Sequence, residues 1–185
     1  GIGSPESVIQ AIRYAEANGA SICNLSLGTS AYNEELAAAI RDSGMLFVIA
    51  CGNGDARGQG YDTDASPIYP ASLPYDNVIS VASLMFDGEL AASSNYGAGT
   101  VDIAAPGSYI LSTAPGGGYA FMSGTSMAAP MVTGTAAMIY SFRTDLSLAD
   151  VKTAILSSAK PMESLAGKTV SGGMLDAYAA LNYTK

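Results

Sequence analysis

Apolar residues recur at helical spacing through Val8, Ile12 and Ala15, and this predicts a helix near the start of the chain. Ser4 reads as its N-cap, Pro5 suits the first turn, Glu6 favours the helix dipole and Gly19 supplies the stop. Ala20 to Leu25 reads as a short buried strand. A second helix, Glu34 to Ser43, carries Leu36 and Ile40 one turn apart and ends at Gly44. Met45 to Ala50 is uninterrupted apolar sequence, the pattern of a strand covered on both faces. Strand, helix and strand joined by short connections imply parallel pairing, so the expected class is α/β.

Beyond these elements, Asp55 to Pro67 is polar and turn-rich and predicts a surface loop. Val78 to Ser83 predicts another buried strand, followed by a turn at Asp87-Gly88. Val101 to Ala104 and Tyr109 to Thr113 predict short strands, and Gly116-Gly117-Gly118 a flexible link. From about Met127 to Tyr140 the sequence is apolar with almost no polar face, which predicts a central, buried helix. Ser147 and Asp150 open a helix running to about Ser158. Met174 to Leu181 predicts a short closing helix.

Composition narrows the chemistry. Charged residues make up 13% of the 185 residues and the net charge is −8, with no run of Lys or Arg, so a nucleic-acid surface is not expected. The longest clean apolar run, Met45 to Cys51, falls well short of the ~18 residues a membrane span needs. The sequence contains no histidine, which excludes His-ligated metal centres and any Ser-His-Asp triad held within this chain. Its two cysteines, Cys23 and Cys51, sit in apolar strand-like runs and read as buried free thiols.

In open parallel sheets, ligands bind beyond the carboxyl ends of the strands. Three polar clusters fall at such ends or at a helix start: Asn24/Ser26/Gly28, Gly52/Asn53/Gly54 and Gly124/Thr125/Ser126. Ser126 opens the apolar helix, where unpaired N–H groups and the dipole favour developing negative charge. Its hydroxyl suits a nucleophile, and its own N–H together with the Asn53 amide suits an oxyanion. On local pattern alone, the same two residues read equally as a cap and a turn residue.

The motifs taken together resolve that ambiguity. Gly124-Thr125-Ser126-Met127-Ala128-Ala129-Pro130 resembles the nucleophile motif of subtilisin-like serine proteases. Asn24-Leu25-Ser26-Leu27-Gly28 resembles their substrate-binding strand, and Cys51-Gly52-Asn53-Gly54 their oxyanion turn. Tyr69-Pro70-Ala71, Val78-Ile79-Ser80-Val81, Ala105-Pro106-Gly107 and Gly172-Gly173-Met174-Leu175-Asp176-Ala177 follow in the family's order. The resemblance covers nearly the whole chain. It implies a mostly parallel sheet with helices on both faces, peptide or protein substrates, and a catalytic Ser126 with Asn53 in the oxyanion hole. It further implies a primary side-chain pocket walled by Ser26-Leu27-Gly28 and by Ala50, Cys51 and Gly52, with Thr125 nearby and Ile68 close to the floor.

The family places an aspartate and then a histidine before the serine, and no histidine occurs here. The resemblance therefore implies that residues 1–185 are the C-terminal portion of a single protease domain, inactive alone. The missing N-terminal part, or a second copy, is expected to cover the Ala20 to Leu25 edge. No cofactor is required; a weakly bound calcium or monovalent cation is expected near the Ala71 and Leu73 carbonyls and Asp102. Secretion or cell-surface display is typical of the family.

Rival readings remain. An α/β-hydrolase needs Gly-x-Ser-x-Gly and a later histidine, and residue 128 is alanine. No Gly-x-Gly-x-x-Gly supports a nucleotide fold. A sedolisin-like acid protease would explain the missing histidine but places aspartate where Asn53 stands. A catalytically dead binding or scaffold protein of the same fold is the non-enzymatic alternative.

Overall fold

The computed structural model describes residues 3–184. Helix α1 (Pro5–Ala17) starts at Ser4, whose hydroxyl accepts from the Ser7 N–H while the Ser7 hydroxyl accepts from the Ser4 N–H. Strand β1 (Ile22–Leu25), helix α2 (Glu34–Arg41) and strand β2 (Leu46–Ala50) follow as the pattern predicts. Strands β3 (Val78–Leu84) and β4 (Ile103–Pro106) extend the sheet, so that β1 to β4 lie side by side, all parallel, in chain order.

Strand β2 shows why its sequence is apolar without a break. Leu46, Val48 and Ala50 pack into one core with helices α3 (Thr125–Phe142) and α4 (Leu148–Ser157). Phe47 and Ile49 point the other way, into a second core with Ile9 and Ile12 of α1 and Leu36 and Ile40 of α2. A two-residue side-chain period thus feeds two helical layers, and neither face can tolerate a polar residue. The fold is α/β, a mostly parallel sheet with helices on both faces, as expected.

Three expectations need correction. Met174 lies in a strand, β8 (Gly173–Met174), which pairs in parallel with Ala104 of β4 and antiparallel with β7 (Lys160–Pro161). The closing helix α5 starts only at Ala177, because the Asp176 side chain caps it by accepting from the Ala179 N–H. The glycine run at 116–118 is the turn of a hairpin between β5 (Ile110–Ala114) and β6 (Gly118–Met122), and β6 was not anticipated. Helix α3 is buried along Ala128, Val132, Ala136 and Ile139, yet Met131, Met138 and Phe142 are exposed. Full burial of that helix does not occur within this chain.

Strand β1 is the outermost strand on its side, and its outer edge pairs with no strand among the described residues. Ile22 and Cys23 there are half-buried and Asn24 is exposed. Cys51 is fully buried; burial pushes its thiol up to about 12, so it stays protonated and donates to the Asn95 carbonyl at 3.2 Å. Cys23 is only half-buried, and both thiols are free.

Candidate active site

Three segments meet where the sequence placed its polar clusters. The loops after β1 and β2 and the first turn of α3 enclose a cavity of about 280 Å³, lined among others by Ser26, Leu27, Gly28, Ala50, Gly52 and Ile68. Asn53, Thr125 and Ser126 also line it. Cys51 does not: its side chain is buried behind the loop.

Asn53 is oriented by its oxygen. The Thr125 N–H donates to Asn53 Oδ1 at 2.8 Å, and the Thr125 hydroxyl donates to the same atom at 3.0 Å. A backbone N–H can only donate, so the acceptor must be the carbonyl oxygen of the amide. The NH₂ end is thereby left to donate elsewhere, and Asn53 lines the cavity. Gly124 makes this approach possible: its φ is +145°, and a Cβ there would sit 3.1 Å from Asn53 Oδ1.

Ser126 is the second residue of α3, whose N-cap is Gly124. Its backbone N–H therefore belongs to the first turn, where amides lack an intrahelical acceptor and the dipole is positive. The Ser126 carbonyl accepts from the Ser26 hydroxyl at 3.0 Å, which ties the strand-end segment to the helix start. Ser26 is itself held by the Asn24 amide at 2.9 Å. An oxyanion placed between Asn53 Nδ2 and the Ser126 N–H would meet two donors fixed before it forms.

Thr125 is fully buried at the back of the cavity, where it holds Asn53. Its hydroxyl also accepts from the Gly52 N–H at 3.2 Å. Ile68 is set by a short two-way backbone pairing between Thr29 and Tyr69, at 2.8 and 2.7 Å. That pairing presses Ile68 onto Gly28, where an added Cβ would come within 2.8 Å of Ile68 Cγ2. Ile68 thus occupies the space between Gly28 and Gly52 at one end of the cavity.

Asn95 is the residue that the sequence reading missed. It is 1% exposed and fastens the whole Asn53 loop. Its amide donates to the Cys51 carbonyl at 3.1 Å, and its Oδ1 accepts from the Gly54 and Tyr61 N–H groups at 3.0 and 3.2 Å. Its own N–H donates to the Gly52 carbonyl at 3.0 Å. In the sequence it stands in Ser94-Asn95-Tyr96-Gly97, which reads as a solvated turn; only the sheet's closure shows that this asparagine is interior.

A second, larger cavity of about 640 Å³ shares Leu27 and Gly28 with the first and is lined by Val8, Leu36, Tyr32 and Leu73. Ala71 and Leu73 are buried, and Asp102 is half-buried in another cavity, away from Ser126. Among the described residues, no group of three or more His, Cys, Asp or Glu gathers to hold a metal ion.

Comparison with known proteins accords with this geometry. A family model described as "Subtilase family" matches residues 1–178. Thermitase from Thermoactinomyces vulgaris is 36% identical over 186 residues, covering 99% of this chain and 62% of that protein. Subtilisin Savinase from Lederbergia lenta is 39% identical over 142 residues, covering 75% of this chain and 49% of the relative. The solved structure of the prenylagaramide maturation protease PagA superposes with a TM-score of 0.82 at 31% identity, covering 97% of this chain and 67% of that one. The chain spans less than two thirds of thermitase's length. With the ordered motifs, the two-faced parallel sheet and a match along almost the entire chain, this protein belongs to the subtilase family.

Proposed function

We propose that the chain is the larger, C-terminal part of a subtilisin-like serine endopeptidase that cleaves peptide bonds through an acyl-enzyme on Ser126. The observation that carries this reading is the Asn53 amide, with its oxygen tied to Thr125 and its NH₂ free beside the first turn of α3. The Ser126 hydroxyl adds to the scissile carbonyl, and a base removes its proton. The oxyanion is held by Asn53 Nδ2 and the Ser126 N–H, then collapses with expulsion of the amine, which takes the proton. Water repeats the addition and releases the acid.

On this reading the base comes from outside this sequence, because the family's histidine is not in it. An N-terminal complement pairing with the open edge of β1 would supply it, and would also cover Met131 and Met138 of α3. The shares of thermitase and PagA that this chain leaves unmatched give room for such a part. Secretion or cell-surface display belongs to the same reading. No helix among the described residues is long and apolar enough to cross a membrane.

The test is labelling by a phosphonate that reacts with activated serines. The complete protein is expected to be labelled at Ser126, and the 185-residue chain alone to remain unlabelled, since an unassisted hydroxyl stays protonated and weakly nucleophilic. Failure of the complete protein to label would favour a protease-shaped binding or scaffold protein.

An extended peptide lying along Leu27-Gly28 would place side chains into both cavities that share these residues. Ile68 shortens the smaller one and favours small or medium apolar side chains. Ile68→Gly in the complete enzyme is expected to shift preference toward large aromatic residues by about 10-fold or more in kcat/KM, since each methylene of fit is worth ~1–3 kcal/mol. Specificity profiling over a peptide library measures this. Unchanged profiles would show that Ile68 only packs beneath the loop.

A further inference from the structure

A separate cavity of about 160 Å³ lies among the 71–76 turn, the start of β3 and helix α4. Ala71, Leu73, Tyr75, Asp102 and Lys152 line it, with the exposed Asp76 at its rim. The family resemblance led us to expect a metal cation at this place, on the Ala71 and Leu73 carbonyls and Asp102. A metal there would share its donors with hydrogen bonds already made and its space with a cation already present. Leu73 O accepts from the Tyr75 N–H at 2.9 Å, and Asp102 Oδ2 accepts from the Ser80 N–H at 2.7 Å. The Lys152 ammonium reaches in from α4 and donates to the Val78 carbonyl at 2.6 Å.

We propose that the Lys152 ammonium is the resident cation of this cavity, so that the chain itself balances the charge of Asp102 and a metal ion is excluded. Two cations in so small a space repel, and the one further carboxylate at the cavity, Asp76, is exposed at its rim. The cation is also tethered: it cannot be diluted away or chelated, as a weakly held ion can. Lys152 and Asp102 make no direct ion pair, yet they act on one another. Burial pushes the Asp102 carboxyl up, and the charge of Lys152 is the main influence opposing that rise.

This inference concerns charge balance and stability, and it stands whether or not Ser126 is a nucleophile. Tyr75 provides the local probe, because it can sensitise terbium(III) luminescence from an ion bound beside it. On the complete protein, the wild type is expected to show no saturable emission that Asp102→Asn removes. Lys152→Met should gain one such site, at least about tenfold tighter than any Asp102-dependent site in the wild type. Calcium should displace the terbium, and it should raise the Tm of Lys152→Met while leaving that of the wild type unchanged. Saturable wild-type emission that both Asp102→Asn and Tyr75→Phe abolish overturns the proposal. A folded Lys152→Met that gains no calcium response overturns it as well. Should Lys152→Met not fold, the wild-type titration against Tyr75→Phe decides alone.

Discussion

Replacing Asn53 by leucine in the complete enzyme lowers kcat by about 10²–10³-fold while KM stays within a few-fold. That magnitude is the one known for the corresponding donor in subtilisin, a member of this family, and is carried over rather than derived. The reason for the split lies in when the bond forms. On the proposed mechanism Asn53 Nδ2 donates to the oxyanion, so its hydrogen bond strengthens only as charge develops. Leucine keeps the shape but also deprives the buried Thr125 N–H and hydroxyl of their acceptor. Asn53→Asp separates the two effects. It retains an oxygen for Thr125 yet sets a carboxylate against the developing charge, and it should lose at least as much kcat as the leucine variant. Steady-state kinetics on a chromogenic peptide measures both. Wild-type kcat in either variant would remove Asn53 from the mechanism.

Asn95→Ala should destabilise the protein by about 2–4 kcal/mol, because it strands three polar groups at once, one buried and two partly buried. The Gly54 and Tyr61 N–H groups lose their acceptor and the Cys51 carbonyl loses its donor. Each such loss is worth ~1–3 kcal/mol, and neighbours in one network do not simply add. Denaturant unfolding reads the stability. A purely structural role would stop there, whereas a positioning role reaches kcat through Asn53. The decisive measurement is therefore a double-variant cycle. If Asn95 acts by holding the Asn53 loop, Asn95→Ala slows the wild type but adds little to Asn53→Leu. Fully additive losses would make Asn95 a scaffold residue with no bearing on the oxyanion.

What could be read from the sequence followed local periodicity. The first four strands and helices α1 and α2 announced themselves because most of the sheet is buried on both faces, so β2 is apolar without a break and β3 is interrupted only by Ser80 and Ser83. Ser126 and Asn53 were legible because short motifs carry them. Most of the failures share one cause, which is pairing at long range; the β5–β6 hairpin is the exception, a local pairing of mostly exposed strands. Strand β8 contributes only Gly173 and Met174, and it exists because Ala104 and Lys160 flank it, not because of its own residues. Asn95 looked solvated because its four hydrogen bonds go to residues 34 to 44 positions away. Lys152 carries no local signal either, since its acceptor, Val78, lies 74 residues earlier. The exposed stripe on α3 misled in the opposite sense: an all-apolar helix predicts burial, and the chain described here covers only one side of it.

The sheet places β1, β2, β3 and β4 next to one another in the order in which they are made. A nascent chain leaving the ribosome can therefore add each strand to the one before it, with no insertion between strands already paired. The two halves of the catalytic pocket are nevertheless born far apart, since Asn53 and the Thr125 that orients it are separated by 72 residues. For the interval of synthesis between them, the Asn53 side chain lacks the partner that fixes its oxygen. Translation order thus completes the four-stranded framework before the residue that orients Asn53 is made.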